Sequence, residues 1–173
     1  MRKNNQNLGR LFWITGLSGS GKTTIAEKIK EKISKKYGPT LTISGDDLRK
    51  IFNYNKFSKK IRLRYALSYS EFCKYITDQN INVIISTVSL FHKVRKWNRS
   101  NINNYIEIYV KADISELIKK KKKYFYKGSH KNIIGKNLKA EFPKKPDVVI
   151  ENNFDKSLTE LSKELLKKIF NHC

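Results

Sequence analysis

Eight consecutive residues, Gly16-Leu17-Ser18-Gly19-Ser20-Gly21-Lys22-Thr23, constrain this chain more than any other stretch. They keep the spacing G-x-x-x-x-G-K-[ST], and both flanks fit it: an apolar run, Leu11–Thr15, before it and a helical pattern with Ile25, Ile29 and Ile33 on one face after it. The glycines let successive backbone N–H groups curl round a phosphate without Cβ clashes. The following helix turns its positive end toward the same anion. Lys22 then reaches β- and γ-phosphate oxygens, and the Thr23 hydroxyl offers a ligand to Mg²⁺. Gly16, Leu17, Ser18, Gly19, Ser20, Gly21, Lys22, Thr23 and Thr24 are therefore the expected ATP site.

The alternation of apolar run and helix continues. Leu41–Ser44, Ile81–Thr87, Tyr105–Val110 and Asp147–Asn152 read as strands. Lys22–Lys35, a short segment from Gly45, Lys59–Asp78, Ile114–Tyr126 and Leu158–Phe170 read as helices. This order predicts an α/β fold of the three-layer P-loop NTPase kind, nucleotide-kinase-like, with a five-stranded parallel sheet. No repeat or linker interrupts it, so residues 1–173 are expected to form a single domain. Residues Lys127–Pro146 lack a clear period and carry Gly and Pro, and a short lid is expected over roughly 120–145.

Charge points to the ligand class. Lys and Arg number 37 against 15 Asp and Glu, a net +22, which suits an anionic partner, although part of the excess follows from a composition rich in Lys, Asn and Ile. At 39% hydrophobic the chain is a globular protein and not a disordered one. Two cysteines, Cys73 and Cys173, cannot build a disulfide framework and are expected to be reduced. The apolar run after the basic N-terminus is too short for a signal peptide, and no segment is long enough to span a bilayer. The expectation is a cytoplasmic protein with no membrane partner.

The acids narrow the class of P-loop protein. A GTPase needs N-K-x-D, and the nearest string, Asn55–Ser58, lacks the Asp. A motor or ATPase ends a later strand in an acid for Mg²⁺, and Ile81–Thr87 ends in none. The acids instead follow the second strand, in Ser44-Gly45-Asp46-Asp47. A carboxylate there suits a small kinase: it orients an acceptor hydroxyl and helps to hold the metal. Asp46 and Lys22 are the expected catalytic pair, and Thr23 and Asp46 the expected metal ligands. Helix capping is the competing role for the two acids.

At this point the residues resemble the adenylylsulfate kinase family over about Leu11–Asn152. The stretch from Phe12 to Ala26 is similar to that family's signature round its P-loop. Ser44–Arg49 resembles its G-D-N-V-R, Lys56–Ser58 its G-F-S, Tyr105–Val110 its F-I-E-V-Y-V, and Lys131–Gly135 its K-N-F-T-G. The resemblance implies phosphoryl transfer from ATP to the ribose 3′-hydroxyl of a small nucleotide acceptor. It implies roles for Asp46 as the catalytic carboxylate, Arg49 and Arg62 as anion contacts, Phe57 as a ring stacking on the acceptor's base, and Ser89 as a wall of the acceptor site. It also implies a homodimer.

The departures from the pattern all fall on the acceptor side. Asp47 stands for the family's Asn, Tyr65 for a second Asn, Leu67 for an Arg, Thr87–Leu90 for F-I-S-P, and Ile133 for a second base-stacking Phe. One branch of the family phosphorylates cytidine diphosphoramidate for capsule polysaccharide assembly, and a pyrimidine acceptor calls for a different base pocket and tail pocket. That branch is the favoured reading, with adenylylsulfate kinase as the alternative. The run Lys119–Lys123 with Tyr124, Phe125 and Tyr126 also fits a nucleic-acid surface. In a P-loop context it reads better as a lid hinge, so no nucleic acid partner is expected. His92, His130 and His172 have no spacing for zinc.

Overall fold

The computed structural model describes residues 8–120, 134–136 and 138–172. Its elements run β1 (Leu11–Thr15), α1 (Lys22–Tyr37), β2 (Thr40–Ser44), α2 (Gly45–Ile51), α3 (Lys59–Thr77), β3 (Asn82–Thr87), α4 (His92–Asn101), β4 (Tyr105–Lys111), α5 (Ile114–Lys119), β5 (Val148–Glu151) and α6 (Leu158–His172). The five strands form one sheet in the order β2-β3-β1-β4-β5, and every pairing is parallel.

Alternate residues of the central strands feed two layers. Phe12, Ile14, Ile84 and Ile108 face α1 and α6 and pack with Ile25, Ile29, Leu161 and Leu165. Leu11, Trp13, Val83 and Ile85 face the other way and pack with Leu48 of α2, Ala66 of α3, Val94 of α4 and Leu117 of α5. Strands buried on both faces read as continuous apolar runs, which is why β1 and β3 are so plain in the sequence. The three-layer α/β P-loop fold is thus as the alternation predicts.

The order of the strands places the site. The chain leaves β1 toward β2 at one edge, and leaves β3 toward β4 on the far side of β1. Neighbouring loops that diverge in this way open a crevice at the carboxyl ends of β1 and β3, where open α/β sheets bind ligands.

Helix α4 has no counterpart in the strand-and-helix reading. Its buried residues are Val94, Arg95 and Asn98, so its inner face is mostly polar and breaks the apolar period. Its partner is an acid inside a strand. Glu107 of β4 pairs with Arg95 at 3.2 Å and Arg99 at 3.0 Å, and Arg99 also reaches Asp147 at 3.1 Å. Burial pushes the Glu107 carboxyl up from its ordinary pKa, and the two guanidiniums oppose that shift. Helix α5 ends at Lys119, shorter than the Ile114–Tyr126 expectation, whose remainder from 121 lies outside the described residues. No helix among the described residues is long and apolar enough to cross a membrane.

Candidate active site

Helix α1 begins after Gly21, which adopts φ 91° and offers no side-chain cap, so a helix of 16 residues turns its positive end toward the cleft. A Cβ at Gly21 would come within 2.6 Å of Leu158, and the positive φ adds strain, so only glycine fits. Asn152, just past β5, donates its side-chain amide to the Ser20 carbonyl at 3.0 Å and accepts from the Phe154 N–H at 3.0 Å. The loop after β5 is in this way tied to the cradle. Within the cradle Lys22 is only 6% exposed, and its ammonium donates to the Leu17 carbonyl at 2.6 Å.

The loops open on a cleft of about 650 Å³. Ser18, Gly19, Gly21, Lys22, Thr23 and Thr24 line it; Leu17 and Ser20 are buried beneath. Thr23 and Ser86 hydroxyls lie 3.2 Å apart, so the carboxyl end of β3 brings a second hydroxyl beside that of Thr23. Among the described residues no cluster of three or more His, Cys, Asp or Glu is placed to hold a metal. These hydroxyls fit a Mg²⁺ whose coordination is completed by nucleotide phosphates and water.

Helix α2 separates its two acids. The Asp47 carboxylate accepts from the Ser44 N–H at 3.0 Å and the Ser44 hydroxyl at 2.7 Å, while the Asp47 N–H donates to that hydroxyl at 3.1 Å. This capping box holds the Asp47 carboxyl below its usual range. Asp46 takes no part in the cap. Its side chain is 81% exposed, lines the cleft and meets Arg49 at 3.2 Å. Capping and cleft chemistry therefore fall to different residues. Asp47→Ala is expected to cost about 1 kcal/mol at neutral pH, and Asp47→Asn, which keeps an acceptor oxygen but not the charge, is expected to cost less than Ala. Because the native carboxyl is held low, its contribution is full above the unfolded-state pKa and lost as pH falls through the folded value. Equal denaturation midpoints for Ala and Asn variants at neutral pH would contradict the cap.

Helix α3 supplies the opposite chemistry. Arg62, Tyr65, Ala66 and Tyr69 share one face at helical spacing, and all four line the cleft. Arg62 donates to the Phe57 carbonyl at 2.9 Å. Burial, with Arg49 nearby, draws its pKa down from the ordinary value. The Phe57 ring has Arg49 at 5.3 Å and Arg62 at 5.1 Å from its centroid. Leu67 is off this face and packs against the core. Ser89 lines the cleft at 5% exposure, and its hydroxyl is buried without a partner among the described residues. Such an orphan suits a ligand atom.

In all, Lys22, Arg49, Lys56, Arg62, Lys120 and Lys156 line the cleft against a single described carboxylate, Asp46. Asp46, Arg49, Phe57, Arg62 and Ser89 are brought together with the cradle, and Ile133 lies outside the described residues. Its neighbour Ile134 lines the cleft, and Gly135, at φ 90°, packs so close to Leu17 that a Cβ would come within 2.5 Å. The Lys119–Tyr126 stretch read as a hinge or nucleic-acid surface is described only at Lys119 and Lys120. Ser86, Asn152, Phe154 and Lys156 were not singled out from sequence, although Asn152 ends an apolar run and so had a positional signal. Cys73 is fully buried, which pushes its thiol pKa up and leaves it inert.

The profile of the adenylylsulphate kinase family matches residues 8–151. A cytidine diphosphoramidate kinase of Campylobacter jejuni is 36% identical over 163 residues, 92% of this chain and 95% of its own. A probable adenylyl-sulfate kinase of Pyrococcus abyssi is 29% identical over 150 residues, 84% of this chain and 86% of its own. The structure of the Mycobacterium tuberculosis APS kinase in complex with AMPPNP and APS superposes with a TM-score of 0.83 at 23% identity, over 94% of this chain and 98% of that one.

Proposed function

The chain belongs to the adenylylsulphate kinase family, P-loop phosphotransferases with a hydroxyl acceptor, and we propose that it phosphorylates the ribose 3′-hydroxyl of cytidine diphosphoramidate. The observation that carries the nucleotide-acceptor reading is the cleft itself: among the described residues, one carboxylate, Asp46, among six cations, with aromatic rings at the α2–α3 end. The cytidine assignment draws support from the near full-length likeness to the Campylobacter jejuni enzyme. On this reading the enzyme works in the cytoplasm and serves the phosphoramidate decoration of a capsule.

ATP would lie along Gly16–Thr24, with Lys22 and the N-terminal end of α1 on its phosphates. Thr23, Ser86 and Asp46 would hold Mg²⁺, which when bound neutralises phosphate charge. Asp46 accepts the proton of the acceptor's 3′-hydroxyl. That oxygen bonds to the γ-phosphorus as the bond to the β,γ-bridging oxygen breaks, leaving ADP and a 3′-phosphorylated nucleotide. Arg49 and Arg62, braced on Phe57, hold the acceptor's anionic tail, and the Ser89 hydroxyl takes one of its oxygens.

Adenylyl sulfate is the alternative acceptor, and one assay separates the two. ADP release with Mg·ATP is followed on each compound, and ³¹P NMR locates the new phosphate. Turnover on cytidine diphosphoramidate, at least tenfold more efficient than on adenylyl sulfate, is expected. Preference for adenylyl sulfate would overturn the cytidine assignment, and turnover on neither would overturn both.

A further inference from the structure

The acceptor end of the cleft holds two aromatic side chains in different company. Phe57 is occupied by cations, with a guanidinium near each of 5.3 and 5.1 Å from its centroid. Tyr65 is engaged by another ring. It stacks on Tyr54 with centroids 3.8 Å apart and planes within 5° of parallel. Tyr54 is itself wedged between Phe52, at 5.4 Å, and Tyr69, at 6.2 Å, and Phe52 meets Phe72 edge-on at 6.1 Å. The Tyr54 N–H donates to the Arg49 carbonyl at 2.8 Å, which fixes the start of this stack to α2. Tyr65 thus has one face covered by Tyr54, and it lines the cleft.

We infer that Tyr65, braced by Tyr54, is the platform on which the acceptor's base stacks, and that Phe57 instead spaces Arg49 and Arg62 for the acceptor's tail. The inference rests on the reading that a nucleotide acceptor enters this end of the cleft. A ring already stacked and wedged loses little freedom when a base adds to it, so it is a better platform than an exposed ring that already holds two guanidiniums. A base laid on Tyr65 extends the stack Tyr54–Tyr65 by one member. A guanidinium held against Phe57 keeps its outward N–H groups for phosphate oxygens.

The test uses the full chain with its ATP site saturated by AMPPNP, so that a second nucleotide reports on the acceptor end alone. CDP is titrated against wild type, Tyr65→Ala, Tyr65→Phe and Phe57→Ala, and ribose 5-diphosphate serves as the baseless counterpart. Tyr65→Ala is expected to weaken CDP about tenfold or more while leaving ribose 5-diphosphate within twofold. Tyr65→Phe, which keeps the ring, is expected to bind CDP within a few-fold of wild type and serves as the folding control. Phe57→Ala is expected to weaken both ligands alike. A loss at Tyr65→Ala that is equal for both ligands, or absent for CDP, overturns the inference. If wild type binds no CDP, the cytidine reading falls by itself, and the same variants titrated with adenylyl sulfate decide whether Tyr65 carries the base.

Discussion

Asp46→Asn is expected to lower kcat by about 10²–10⁴-fold while the affinity for ATP changes little. The substitution keeps the side chain's size and removes a charge and a proton acceptor. It leaves the fold alone, because the cap of α2 belongs to Asp47 and Ser44 and Asp46 is mostly in solvent. An exposed residue outside a cap changes stability by about 0.5 kcal/mol at most. The loss of the ion pair with Arg49 also frees that guanidinium, so the acceptor's KM is expected to move less than kcat. Unaltered turnover would remove Asp46 from its role. A loss of ATP affinity as large as the loss of kcat would make Asp46 chiefly a metal ligand. Both parameters come from steady-state kinetics with the AMPPNP affinity measured alongside.

Lys22→Met is expected to damage both halves of the reaction, with kcat lower by about 10²–10³-fold and nucleotide affinity lower as well. The ammonium is buried in the cradle and is held by the Leu17 carbonyl and, at 3.4 Å, by the Ser20 hydroxyl. It is therefore positioned before any phosphate arrives, which is what preorganised charge stabilisation requires. Methionine fills much of the same space without the charge, so a misfolded variant is not the expected cause of the loss. Melting with and without AMPPNP separates the two: wild-type stability in the free protein with a diminished ligand-induced rise is the expected pair of results. Full activity in Lys22→Met would show that phosphate is bound elsewhere.

What was legible in the sequence follows from local physics. Strands β1 and β3 announce themselves because both faces are buried, and the cradle does because glycine and lysine stand at fixed offsets. Asp46, Arg49, Phe57, Arg62 and Ser89 were legible through resemblance, and the cleft brings all five together. Helix α4 was not, because it turns Arg95 and Asn98 inward toward an acid in a strand, and no periodicity of apolar residues records that. Asn152 was not, because its value lies in a hydrogen bond to Ser20 across 132 residues of sequence. The Tyr54–Tyr65 stack is likewise a product of tertiary packing between the chain after α2 and the face of α3.

The cleft's charge has a meaning for the free protein as well as for its ligands. Among the described residues six cations converge there with one carboxylate to balance them, and like charges drawn together oppose compaction. A bound polyanion removes the repulsion, and it stabilises the folded chain further by its own binding free energy. Nucleotide is in this sense a part of the folded structure supplied from outside. On the proposed function, the melting temperature is therefore expected to rise as nucleotide is added, and by more than the rise seen for a neutral nucleoside.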